Sequence, residues 1–166
     1  MYGVIANTAI VVTCLCNGIN QASQPIISIN HGAGQHERIH VVKKLGLRTA
    51  FLICSVPAIL GLIVPNMFTN IFLNPNAEIL ALSPTAIRIY FMGFFVIGIN
   101  MFIVGYFQST VKPQISLFLC LMKSCVLSIV FVYILPLFLG ITGIWAAVPL
   151  AEFITLGLGI YFLKRR

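Results

Sequence analysis

Charge is what this sequence is shortest of. Lys, Arg, Asp and Glu make up 8% of its 166 residues, aspartate does not occur, and the three glutamates stand far apart at 37, 78 and 152. Soluble domains carry about 25% of these residues, so this chain cannot cover itself with a water-facing surface. Carboxylates this sparse build no nucleophile–base constellation, which argues against hydrolytic chemistry and against an enzyme. Cysteine occurs at 14, 16, 54, 120 and 125, never as CxxC. The thiols therefore read as small buried apolar residues, neither a disulfide framework nor a metal site. The start lacks a basic region followed by a short apolar core and a cleavage site, so no signal peptide is expected. Gly32, Ala33 and Gly34 follow no strand and precede no Gly-Lys-Ser, which excludes a phosphate loop.

What fills the chain is apolar: 60% of the residues are hydrophobic and the mean hydropathy is +1.05. The composition predicts an all-α integral membrane protein. Segments of bilayer-spanning length are expected at about 2–29, 45–72, 87–107, 115–139 and 144–163. Between them lie NHGAGQHERIHVVKK, NPNAEILALSP with Glu78 as its only charge, QSTVKPQ and LGITG. The net charge of +7 does not mark a nucleic-acid partner, because the basic residues cluster at segment ends. Alternate connections hold Arg38/Lys43/Lys44, Lys112, and Lys164/Arg165/Arg166, while Arg88 alone sits at a helix mouth on the other side. Lys and Arg accumulate on the cytoplasmic side, so the amino terminus is expected outside and the carboxyl terminus inside a cell membrane crossed several times.

The polar residues at membrane depth are the functional clue. Thr13, Asn17, Asn20, Gln24 and Ser28 are spaced four, three, four and four residues apart, with Gln21 beside them. That spacing places the five on one helix face. Pro25 removes a backbone donor, and a break in the helix is expected there. Such a stripe either lines a substrate path or bonds helix to helix. Lys123 and Glu152 are ionisable residues inside spans, roughly 12–15 and 15–18 Å from the cytoplasmic ends of their helices. Their helices should be antiparallel neighbours, so a pair is expected, acting either as a structural pair or as a proton-linked switch. Asn100 stands mid-membrane and either faces the cleft or bonds across helices. His36 and His40 read as juxtamembrane histidines with no metal.

Residues 18–35, GINQASQPIISINHGAGQ, resemble the multidrug and toxic compound extrusion (MATE) family of transporters. The matching positions are Gly18, Gln21, Gln24, Pro25, Ile26, Asn30, Gly32 and Ala33. GITGIWAAVPLAEF is similar to the family's last helix, through Gly140, Gly143, Trp145, Ala147 and Glu152. The resemblance implies five transmembrane helices forming part of the six-helix carboxyl-terminal lobe over residues 1–166, corresponding to helices eight to twelve of twelve. It implies part of a multidrug/cation efflux antiporter, coupled to protons or sodium, truncated and inactive alone. The alternatives are a non-transporting membrane fragment or a lipid-linked sugar flippase. Expected partners are the lipid bilayer, small cationic lipophilic substrates, and a missing amino-terminal lobe or a second copy. No cofactor is expected, the coupling ion being bound in the missing part. Substrate or ion pathway candidates are Asn17, Asn20, Gln21, Gln24, Asn100, Lys123 and Glu152. Phe91, Met92, Phe94, Phe95, Met101, Phe102 and Tyr106 are expected to offer substrates a soft apolar surface.

Overall fold

The computed structural model describes the backbone of residues 2–72 and 77–165, and all side chains within it except those of Tyr2, Thr69 and residues 71–83. Among these residues every regular element is helical: α1 (Tyr2–Gly32), α2 (His36–Ile63), α3 (Pro65–Phe72), α4 (Ala77–Met92), α5 (Phe94–Ser109), α6 (Pro113–Leu121), α7 (Ser128–Leu139) and α8 (Ile141–Lys164). A π-helical turn, Met122–Leu127, joins α6 to α7. Among the described residues, five stretches are long and apolar enough to cross a membrane: Gly3–Gly32, His36–Ile63, Pro84–Ser109, Pro113–Leu139 and Ile141–Lys164. The outer faces carry large apolar side chains, as at Phe138, Leu137 and Ile29, which suits lipid and not water.

The boundaries differ from expectation mainly at the second span. It runs 36–63 and not 45–72, because HERIHVVKK contains no helix breaker and joins the helix. At 1.5 Å per residue its 28 residues extend about 42 Å, well past a hydrocarbon core of about 30 Å. Val64 and Pro65 end it, and the rest of the expected span becomes the short α3. NPNAEILALSP is helical from Ala77 onward; residues 73–76 and the Glu78 side chain lie outside the described residues. Pro25 does not interrupt α1, which continues to Gly32. The missing N–H leaves the Gln21 carbonyl without its helical donor, a loss long membrane helices tolerate. Arg88 donates from Nε to the Leu62 carbonyl at 3.2 Å, completing the end of α2.

The organising element is α5. It packs against α1, α2, α6 and α8, α1 also packs on α2, and α7 packs chiefly on α8. Of the five spans, Pro84–Ser109 is the most buried and Pro113–Leu139 the least. Two glycines permit the closeness of α5 to its neighbours. A Cβ on Gly98 would press on the sulfurs of Cys16 and Cys54, and one on Gly105 would collide with the Asn20 amide. Buried hydroxyls of Thr8, Ser55, Ser109, Thr110 and Thr155 each donate to the carbonyl four residues back along the chain. They therefore need no partner from a neighbour. The cysteines divide: Cys16 and Cys54 are buried with sulfurs 2.9 Å apart, while Cys14 and Cys125 are exposed, contrary to the expectation that all are buried.

Candidate functional site

One polar cavity, about 430 Å³, opens between α1, α5, α6, α8 and the π-helical turn. The expected stripe supplies one wall, through Asn17, Asn20, Gln21 and Gln24 of α1. Thr13 and Ser28 do not join them. Thr13 Oγ1 donates to the Ile10 carbonyl at 2.9 Å, and Ser28 Oγ lies 3.4 Å from the Ser109 carbonyl. α5 supplies the facing wall with Asn100, Met101, Val104 and Gln108. Gln24 Nε2 reaches toward Gln108 Oε1 at 3.4 Å, across the mouth between the two walls.

The charged end of the cavity is built by three elements. Lys123 stands on the π turn, where Ser128 Oγ donates to the Lys123 carbonyl at 2.7 Å across five residues. The widened turn carries Lys123 and Ser124 onto the cavity wall. Lys123 Nζ lies 2.7 Å from Glu152 Oε1, and the two side chains are 27% and 2% exposed. Asn100 Nδ2 donates to Glu152 Oε2 at 2.7 Å and to the Glu152 carbonyl at 2.8 Å. Both of those partners are acceptors, so the amide nitrogen must face them. Asn100 Oδ1 is thereby left buried without a partner.

The carboxylate of Glu152 thus binds a cation on one oxygen and an amide on the other, which offsets the desolvation of a charge at this depth. The pair expected between Lys123 and Glu152 forms, and Asn100 serves both alternatives at once, bonding across helices while lining the cavity. Six of the seven expected pathway residues line one space; Glu152 stands behind Lys123 and Asn100. Gln108, Val104 and Thr155 complete the walls without having been singled out. Asn100, Val104 and Gln108 recur at four-residue intervals, a signal a stripe search on α5 would have found.

The aromatic expectation fails. Phe91, Phe94, Phe102 and Tyr106 are 0, 1, 2 and 6% exposed and belong to the core. Phe91 packs on Phe94 and Phe68 with ring centres 4.6 and 4.9 Å away. Phe94, Phe102 and Tyr106 are core because α5 is surrounded by α1, α2 and α8, and Phe91 because α4 packs on α2, α3 and α8; among the described residues, Met101 is the member of that set on the cavity wall.

Chemically, the cavity offers amide oxygens and amide N–H groups, one neutralised ion pair and one unpartnered buried acceptor. It can hold the polar part of a small molecule without demanding a fixed charge.

A family model described as MatE matches residues 1–134. No curated protein matches the chain. Among solved structures, similarity is found to a transporter of the MOP superfamily from Pyrococcus furiosus Vc1 (DSM3638), described as having a binding pocket of reverse polarity that suggests a different function. Its TM-score is 0.86 at 18% identity, covering 99% of this chain and 37% of the other. A multidrug resistance transporter of the MATE family and MOP superfamily, in an outward-facing conformation, gives a TM-score of 0.82 at 20% identity, with 98% and 38% covered. A MATE protein in complex with MaL6 gives 0.84 at 16%, with 98% and 38% covered. The chain spans less than two-fifths of the length of these transporters.

Proposed function

The chain belongs to the MatE family of membrane transporters, and from that premise we propose that it supplies one wall of the substrate path of a multidrug/cation antiporter. The observation that carries this reading is the convergence of Asn17, Asn20, Gln21, Gln24, Asn100 and Lys123 on one cavity. Polar groups at membrane depth are costly unless they face a cavity or a partner, and these face a cavity. Small lipophilic cations are the proposed substrates, because amide oxygens can replace part of a cation's hydration without a rigid pocket. The other wall is supplied by an amino-terminal lobe or a second copy. The chain alone is read as inactive, and the coupling ion, a proton or sodium, as bound in that other part. No cofactor and no chemical step enter this reading.

A flippase for pyrophosphate-linked sugars would need free basic residues in the cleft. Among the described residues, the cation that lines this cavity is Lys123, and it is paired with Glu152. The proposed orientation, amino terminus outside and carboxyl terminus cytoplasmic, is supported by Arg38, Lys43, Lys44, Lys112, Lys164 and Arg165 at alternate helix ends.

The test is gradient-driven uptake of a cationic dye into vesicles, by the chain alone and as the carboxyl-terminal lobe of a two-lobed transporter. Uptake is expected in the two-lobed form only. Asn20→Leu and Gln24→Leu should each lower it about tenfold at equal expression, the worth of one or two hydrogen bonds. Normal uptake in both variants would make the stripe a packing surface. Uptake by the chain alone would mean that copies of it rebuild the cleft.

A further inference from the structure

A second cavity, about 470 Å³, lies where α1 hands over to α2. It is lined by His31 at the end of α1, by His36, His40 and Lys43 on one face of α2, by Tyr106 and Thr110, and by the apolar Ile39 and Leu163. All three histidines of the chain converge on it. Among the described residues no carboxylate lines it; Glu37 borders a neighbouring hollow with Arg38. Among the described residues no group of three His, Cys, Asp or Glu side chains is placed to share a metal ion.

We propose that this cavity binds the phosphate-bearing headgroup of an anionic phospholipid. Lys43 Nζ lies 5.6 Å from the centre of the Tyr106 ring, which holds the ammonium at the cavity edge. Among the described residues no carboxylate pairs with Lys43, so its charge is available to an anion. α2 begins at His36, and its next two residues, Glu37 and Arg38, line the neighbouring hollow, so the cavity's own cation is Lys43. Together Lys43 and the three histidines supply a point charge and imidazole N–H donors, groups that recognise phosphate oxygens.

The position selects the lipid as the source. The cavity stands at the ends of membrane-crossing helices, where headgroup phosphates sit and arrive with their chains already in the bilayer. Ile39 and Leu163 give the cavity an apolar side on which the glycerol end of such a lipid can rest. The site is separate from the polar cavity and does not depend on the transport reading, since the two share no lining residue.

The experiment uses the whole 166-residue chain in neutral detergent. Its melting temperature is compared with dioleoyl phosphatidylglycerol, with dioleoyl phosphatidylcholine at equal mole fraction, and with inorganic phosphate. Phosphatidylglycerol should stabilise more than phosphatidylcholine, and one molecule of it should stay bound in native mass spectrometry. In competition between the two lipids, Lys43→Gln should weaken the preference about fivefold, the worth of one basic residue at an anionic surface. His40→Gln should weaken it as well, and Arg38→Gln, beside the neighbouring hollow, should preserve it. Because the readout is a ratio of two lipids, a variant with a lower melting point still reports. Equal stabilisation by both lipids would overturn the proposal, as would a loss in Arg38→Gln matching that in Lys43→Gln, which would mean diffuse surface charge. Stabilisation by inorganic phosphate equal to that by phosphatidylglycerol would overturn the lipid assignment.

Discussion

Lys123→Met removes the ammonium that lies 2.7 Å from Glu152 Oε1 and leaves a carboxylate that is 2% exposed. Asn100 Nδ2 still donates to Oε2 at 2.7 Å, but no cation remains beside the charge. Taking one partner from a fully buried pair costs about 3–5 kcal/mol. Lys123 is 27% exposed and borders a cavity, so its side of the pair is partly screened. The expected loss is therefore smaller, about 2–3 kcal/mol. Glu152→Gln should cost less, about 1 kcal/mol, because the ammonium can turn into the cavity and the new amide oxygen can still accept from Asn100. The double variant should then resemble Glu152→Gln, which gives a coupling energy of about 2 kcal/mol in a double-mutant cycle. The assay is reversible unfolding of the chain in mixed micelles by added anionic detergent, followed by far-ultraviolet circular dichroism. Additive losses in the double variant, or a larger loss for Glu152→Gln than for Lys123→Met, would refute the reasoning.

Gly105→Ala places a methyl against the Asn20 amide and should destabilise by about 1–3 kcal/mol in the same assay. Adding Asn20→Ala should recover part of that loss, and no recovery would mean that the two helices clash elsewhere. For orientation, a reporter fused after Arg166 should read cytoplasmic and one inserted at Asn76 should read external; both on one side would overturn the proposed topology.

The stripe on α1 was readable because its logic is local. Helical spacing alone sets Asn17, Asn20 and Gln24 on one face, and the structure finds all three on one cavity. Lys123 and Glu152 were readable as partners because a short turn forces their helices side by side, and burial leaves each few other ways to be satisfied. α2 starts earlier than its charge pattern suggests, because charged residues mark the edge of the membrane and not the end of a helix. Helix propensity and membrane crossing are separate matters, and a helix can carry its basic residues out past the hydrocarbon. The aromatic surface was misassigned because apolar side chains suit lipid, cleft and core equally well.

The sequence by itself determined that this is a bundle of membrane-crossing helices, since its long continuous apolar segments, with 8% charged residues overall, have the length at which a helix crosses a bilayer with its backbone internally bonded. It also determined which helix faces are polar, since that follows from periodicity. Only the tertiary structure decided what those faces meet. It made α5 the buried centre, brought Asn100 onto Glu152, and left Asn100 Oδ1 unpartnered. It gathered three histidines from two helices around Lys43. Those outcomes depend on contacts between residues distant along the chain, and they turn on where glycines such as Gly98 and Gly105 let two backbones approach.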